Sequence, residues 1–272
     1  MMLAARVDGV AVTDGFGISI EDRGLQYGDG LFETAALVAG RVRFLQDHLA
    51  RLQHGCERLS IPVPALDLLE YEISQVTAGH ERGVVKIIVT RGAGGRGYRP
   101  AEGLDPTRIV ALFPASEAVH PDTGIEVRWC ATRCARNAQL AGMKHLNRLE
   151  QVLAQAEWRD PGIAEGLMMD TEGEVVSATS SNVFLVVDGV LITPDVRYAG
   201  VSGIMRRQVL KTARARGWLS EERAVWPEDV TNATEIFITN AVRGIRPVIK
   251  LGERHWQVGS VTREIANALS LW

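Results

Sequence analysis

Thirty of the 272 residues are lysine or arginine, yet only four are lysines: Lys86, Lys144, Lys211 and Lys250. Chemistry that needs an amine to attack carbonyl carbon must choose from that short list. Lys144 stands in Ala-Gly-Met-Lys-His-Leu-Asn-Arg-Leu-Glu-Gln-Val (141–152). A glycine comes before it, and apolar residues at helical spacing follow (Leu146, Leu149, Val152, Leu153, Ala156), which places it where a loop meets a helix start. Reactive groups are often presented at such junctions, because a rigid element positions the loop. An amine attacks carbonyl carbon only when neutral, and a free lysine has a pKa near ~10.4. Burial or a neighbouring cation would lower it. By position alone Lys144 also fits an exposed lysine at a helix start.

A second constellation runs Asn182-Val-Phe184, then Leu191-Ile-Thr193, then Val201-Ser-Gly203-Ile204-Met205-Arg206. Its last part is a loop entering a helix, with backbone N–H groups at Gly203, Ile204 and Met205 available to an anion. A third is the glycine-rich loop Arg91-Gly-Ala-Gly-Gly-Arg96-Gly-Tyr98-Arg99. It is no dinucleotide fingerprint, since no Gly-x-Gly-x-x-Gly opens a helix there and Pro100 follows. A P-loop would need Gly-Lys-Ser/Thr, and an RNA-binding arginine–glycine segment would repeat. The six histidines form no metal-ligand spacing, and Cys56, Cys130 and Cys134 contain no Cys-x-x-Cys pair. The expectation is no metal.

These groups need elements to hold them. In the first half, strands near Ala5–Val7 and Val10–Val12 turn at Asp8-Gly9. A hairpin spans Gly28–Val38 and Arg41-Val42, and Asp47 is the expected N-cap of a helix whose apolar face is Leu49, Leu52, Cys56 and Leu59. Leu66–Val76 is a second helix, and Val84–Thr90 and Ile109–Phe113 are strands. Pro114–Gly124 is the candidate linker. Beyond it come strands at Ile125–Trp129 and Glu165–Asp170, and a hairpin over Asn182–Val187 and Val190–Thr193. A helix over Gly203–Arg216 and a strand Glu235–Thr239 ending at Asn240 complete the pattern. The expected fold class is α+β in two lobes, 1–118 and 119–272, the second carrying Lys144 and the anion loop.

Composition narrows the function classes. Hydrophobic content of 46% with 23% charged residues suits a globular protein, and a net charge of −3 argues against general nucleic-acid binding. No stretch approaches the roughly 20 apolar residues of a membrane span, and the N-terminus lacks a secretory apolar run. The expectation is a cytoplasmic protein.

The spacing from Asn182 to Arg206 resembles the signature of class IV aminotransferase-like enzymes, the fold-type IV pyridoxal-phosphate proteins. These include branched-chain and D-amino-acid aminotransferases and aminodeoxychorismate lyases. Asp22–Thr34 and Asp47-His-Leu-Ala-Arg51-Leu resemble further family blocks, so the likeness covers nearly the whole chain. The Arg91–Tyr98 loop and the Lys144–Gln151 run are most similar to the lyases of that family.

The resemblance implies a two-lobed, D-amino-acid-aminotransferase-like fold with pyridoxal 5'-phosphate in the cleft between lobes. Lys144 would hold the cofactor as a Schiff base, and Arg51 would reach its phosphate with a guanidinium fork. Ile204 and Met205 amides would complete the phosphate cup, with Asn240 as another contact. The loop would bind substrate through Arg91, Arg96 and Tyr98, with Arg91 or Arg96 meeting a substrate carboxylate. One departure stands out: the family's pyridine-nitrogen glutamate is replaced by Ser177, five residues before Asn182. Glu174, on the opposite strand face, is not expected to replace it.

The implied reaction converts 4-amino-4-deoxychorismate to 4-aminobenzoate and pyruvate, in folate synthesis. A D-amino-acid or branched-chain aminotransferase is the alternative, and an inactive cofactor-binding protein the remote one. A homodimer is implied, with no nucleic-acid or membrane partner. From the residues alone, Arg51 also fits a surface helix arginine, Asn240 a turn residue, and the glycine-rich loop an exposed flexible segment. His145 is assigned no catalytic role.

Overall fold

The structure is a computed structural model that describes residues 2–12, 17–115 and 123–269. Most of the expected linker, Pro114–Gly124, lies outside the described residues. The chain divides into two compact units: Met1–Glu117 with Met143–Asn147, and Ala118–Gly142 with Arg148–Trp272.

The first unit holds β1 (Ala4–Val7), β2 (Val10–Ala11), α1 (Arg23–Tyr27), β3 (Gly30–Val38) and β4 (Arg41–Val42). Then come α2 (Leu45–Leu59), α3 (Leu66–Thr77), β5 (Arg82–Thr90) and β6 (Arg108–Phe113). Its six strands pair antiparallel in the order β2-β1-β6-β5-β3-β4. The β1–β2 turn places Asp8 at φ 48° and Gly9 at φ 81°, the left-handed pair that matches strand twist in a two-residue hairpin. Alternation then sorts the faces. Leu31, Glu33, Ala35 and Leu37 of β3, with Val85, Ile87 and Val89 of β5, are buried. Helix α2 packs against β3, and α3 against β1 and β6. Phe32 and Thr34, with Lys86 and Ile88, lie on the other face, half-buried. Helix α2 starts at Leu45 after Phe44, two residues before the expected Asp47 cap. Asp47 falls in the first turn, where its charge complements the helix dipole.

The second unit holds β7 (Ile125–Cys134), α4 (Leu149–Gln155), β8 (Ile163–Asp170), β9 (Val175–Ala178), β10 (Asn182–Val187) and β11 (Val190–Pro194). It continues with α5 (Ile204–Ala215), β12 (Ser220–Arg223), α6 (Pro227–Asn232) and β13 (Glu235–Asn240). It ends with β14 (Gly244–Leu251), β15 (Arg254–His255) and α7 (Ser260–Ala268). The sheet order is β12-β11-β10-β13-β14-β7-β8-β9, with β15 on β14. Strand β10 is buried on both faces. Val183 and Leu185 join one apolar cluster, while Phe184 and Val186 join another that includes α5 and α7. Phe184 stacks on Phe237 with ring centres 5.0 Å apart. No helix of the described residues is long and apolar enough to cross a membrane.

Two expectations need correction. Helix α4 begins at Leu149, not just after Lys144, and its apolar face is not buried: Leu149, Val152 and Leu153 are 76%, 60% and 61% exposed. The Lys144 segment groups with the first unit instead of the C-terminal lobe. Backbone pairing explains this. Phe32 N–H donates to the Lys144 carbonyl, Leu146 N–H to the Gly30 carbonyl, and Leu31 bridges His145 antiparallel. The segment is an extra edge on β3.

Candidate active site

Within the first unit, that pairing places Lys144 directly across from Phe32. Opposed residues of an antiparallel pair share a face, so the half-buried Lys144 side chain joins the Phe32 side of the sheet. Its Nζ lies 4.2 Å from the Phe32 ring centre, and the Lys86 Nζ lies 5.6 Å from the same centre. A ring face attracts cations through its quadrupole. Asn147 secures the segment's far end, donating from Nδ2 to the Gly28 carbonyl at 3.1 Å.

Arg51 projects from α2 and is 10% exposed. Its Nε and one Nη grip the Glu33 carboxylate at 2.7 and 2.6 Å, and His48 Nδ1 meets the same carboxylate at 2.6 Å. Burial opposes ionisation of Glu33, but Arg51 and His48 outweigh it and hold the carboxyl below its ordinary range. That edge of the fork is committed to Glu33, which corrects the expectation that the fork itself meets a phosphate; the carboxylate orients the guanidinium, and a phosphate contact would fall to its remaining nitrogen.

The glycine-rich loop is tied down by Asp29. Arg91 Nε and Nη2 donate to the two Asp29 oxygens at 2.7 and 3.0 Å, and Arg23 Nε to one of them at 3.0 Å. Arg91 also donates to the Ser60 and Leu59 carbonyls at 2.7 and 2.8 Å. Its fork is filled by protein groups, which corrects the expectation that it meets a substrate carboxylate. Arg23 holds the other end through the Gly97 and Tyr98 carbonyls. Arg96 is exposed and has no hydrogen-bond partner among the described residues. The Tyr98 ring meets Tyr27 edge-on, centres 5.5 Å apart, and is 87% exposed.

Within the second unit, α5 begins at Ile204 behind Gly203, and no side chain caps it. A Cβ at 203 would collide with the Asn182 side-chain amide, whose Nδ2 donates to the Val201 carbonyl at 2.9 Å. The loop is thus pressed onto Asn182, and the first amides of a helix of 12 residues are presented without a cap. Ile204 and Met205 are themselves buried. Asn240 ends β13, where its Oδ1 accepts from the Val242 and Arg243 amides and its Nδ2 donates to Ser181 Oγ at 3.1 Å. Ser177 is half-buried on β9 opposite Met168, and its hydroxyl has no partner among the described residues. Glu174 is engaged by Arg136 at 3.3 Å.

Sequence reading passed over Phe32, Glu33 and His48 as functional side chains, although all lie in quoted blocks. Lys86 was on the lysine list without a role. Burial disfavours the thiolate of all three cysteines, pushing Cys56 and Cys130 up to about 11 and Cys134 to about 12. Among the described residues no cluster of histidine, cysteine and carboxylate groups could hold a metal ion.

The two mixed helix-and-sheet units have the fold of the fold-type IV enzymes. The chain belongs to the class IV amino-transferase family, whose signature spans residues 30–251. Aminodeoxychorismate lyase of Vibrio harveyi is 32% identical over 93% of this chain and 96% of its own. The crystal structure of 4-amino-4-deoxychorismate lyase from Pseudomonas aeruginosa matches with a TM-score of 0.92 at 45% identity, covering 97% of each chain. D-alanine aminotransferase of Bacillus licheniformis is 28% identical over 93% of this chain and 90% of its own.

The family's cofactor is pyridoxal 5'-phosphate. Each unit holds groups whose chemistry suits it: in the first an amine on a ring face and a guanidinium clamped by a carboxylate, in the second an uncapped helix start and, at Ser177, a hydroxyl with no partner among the described residues.

Proposed function

We infer that this chain converts 4-amino-4-deoxychorismate to 4-aminobenzoate and pyruvate as a pyridoxal-phosphate-dependent lyase. The seat of Lys144 against Phe32 carries the reading: of the two lysines over that ring it is the nearer, 4.2 Å against 5.6 Å for Lys86, and the one whose backbone the Phe32 amide also holds. The full-length likeness to two lyases selects the substrate.

The cofactor supplies an electron sink for charge developing at the substrate's amine-bearing carbon. Lys144 binds it and, as the neutral amine, takes the proton from that ring carbon. The C–O bond to the neighbouring enolpyruvyl group then breaks. The ring gains its third double bond, and the departing enol takes a proton at its methylene carbon to become pyruvate. Arg51 would hold the phosphate, as would the amides of Ile204 and Met205, with Asn240 as another contact. Ser177 would offer its hydroxyl to the pyridine nitrogen. Arg96, with Lys86 and Tyr98, receives the substrate's carboxylates, since Arg91 is committed to Asp29.

The exposed apolar face of α4 supports a homodimer, and three free cysteines, all buried, go with a cytoplasmic enzyme. The test is a coupled assay in which aminodeoxychorismate is made enzymatically and 4-aminobenzoate and pyruvate are quantified beside a Lys144→Ala control. Equal release of both products, lost in the control, is expected. No release from yellow, cofactor-loaded protein would sink the lyase reading and favour transamination, the activity named for the D-alanine relative.

A further inference from the structure

Glu165, on β8, is 2% exposed, and its carboxylate collects donors from three consecutive residues. Ser180 donates from its backbone and its hydroxyl, both at 2.9 Å, Ser181 from its hydroxyl at 2.7 Å, and Thr179 from its hydroxyl at 3.3 Å. Arg246 of β14, also 2% exposed, donates to the same carboxylate. An ion pair this deeply buried costs desolvation, and an apolar pair of similar volume often serves stability as well. What the pair adds here is direction. It fixes the turn between β9 and β10, and that turn holds two loops.

On one side, Ser181 Oγ accepts from Asn240 Nδ2 at 3.1 Å, so the β13–β14 turn is indexed to the carboxylate. On the other, the turn leads straight into Asn182, whose amide bonds Val201 and abuts Gly203, the residue before α5. One carboxylate thus sets the position of both Asn240 and the α5 amides, while lying outside that donor set itself.

We propose that Glu165 is a positioning residue for phosphate recognition, acting through Ser181 on Asn240 and through the 179–182 turn on the start of α5. This rests on the assignment of those loops to the cofactor phosphate. The test compares dissociation constants of the cofactor-stripped full chain for pyridoxal 5'-phosphate and for pyridoxal, which lacks the phosphate. The variants are Glu165→Gln and Ser181→Ala. Glu165→Gln is expected to weaken pyridoxal phosphate about tenfold, near 1.4 kcal/mol, and Ser181→Ala about threefold, with pyridoxal binding unchanged in both. Equal weakening for the two ligands, or no weakening for either, would overturn the proposal by reducing the cluster to a structural tie. If Glu165→Gln fails to fold because Arg246 is left with an uncompensated charge, Ser181→Ala decides the matter alone, since it removes a hydroxyl and no charge. Wild-type protein that binds both ligands equally would instead overturn the phosphate assignment itself, a result visible before any variant is made.

Discussion

The Phe32 amide donates to the Lys144 carbonyl at 3.0 Å while the Lys144 Nζ lies 4.2 Å from the Phe32 ring centre. One residue therefore fixes both the backbone and the amine of the other. Lys144→Ala is expected to abolish release of both products. Phe32→Leu keeps the strand and most of the volume but removes the ring face. The ring face favours the ammonium that Lys144 becomes as it takes the proton, a contact worth about 1 kcal/mol, so kcat should fall roughly fivefold with thermal stability preserved. Steady-state kinetics and a melting curve separate the two effects; an unchanged kcat would leave the ring as packing alone.

Arg91 and Arg96 differ in partners, and their variants should differ in kind. Arg96→Met removes an exposed cation and is expected to raise KM about tenfold, with kcat and stability little changed. Arg91→Met removes one of the two arginines that donate to Asp29 and the donor to two carbonyls, so it should cost about 1–3 kcal/mol of stability. Denaturant unfolding of both variants beside their kinetics is the check. A KM effect from Arg91→Met without destabilisation would return that residue to the substrate.

Asp29 also predicts a pH dependence. Burial raises its carboxyl pKa, but Arg91 and Arg23 more than offset this, so it lies below the ordinary 3.8. A depressed carboxylate contributes stability that is full above the unfolded value and is lost as pH falls through the folded one. Wild type should therefore exceed Asp29→Asn in stability at neutral pH, and the gap should shrink as pH drops below about 3.8. Unfolding free energies measured from pH 7 down to acid provide the test, and a gap independent of pH would remove the charge from the explanation.

Much of this was legible locally and much was not, for physical reasons. Hairpins announce themselves through alternation and a left-handed turn pair: Asp8-Gly9 marks the end of β1, and Asp188-Gly189, with φ 49° and 79°, joins β10 to β11 in the same way. Helix α4 shows the limit of periodicity. Leu149, Val152 and Leu153 form a true apolar stripe, but a stripe says only that a face is apolar, not what covers it. Lys144 was readable as the chemical residue yet not as an extra sheet edge, because Leu31 and Phe32 stand more than a hundred positions away. Likewise Arg91 and Arg96 look alike in the loop until Asp29, 62 residues from Arg91, selects one. Glu165 carried no signal at all, since its donors come from a turn 14 to 16 residues on and from Arg246, 81 residues away.

The α4 stripe leads to an oligomeric prediction. Three large apolar side chains at helical spacing, each more than half exposed, are costly to leave in water. Leu153→Glu should leave the fold intact and shift the protein from dimer to monomer in light scattering. A wild-type monomer would contradict the reading.

Ser177 bears on which reaction dominates. A carboxylate at the pyridine nitrogen keeps it protonated and makes the ring a strong electron sink, whereas a hydroxyl can hydrogen-bond but cannot stabilise the proton to the same degree. Aromatisation drives the lyase reaction, so a weaker sink suffices there, while transamination asks more of the ring. The Ser177 hydroxyl is half-buried and has no partner among the described residues, and Glu174 is held by Arg136, so no neighbouring carboxylate on this strand stands in for the missing one. Ser177→Glu is therefore expected to raise side transamination by about tenfold while lyase turnover changes less, a difference of about 1.4 kcal/mol between the two barriers. Single-turnover conversion of D-alanine to pyruvate, followed by the cofactor's absorbance, measures the first rate. If that rate does not move in the variant, the serine has no part in suppressing transamination, and specificity must reside in the substrate-binding residues instead.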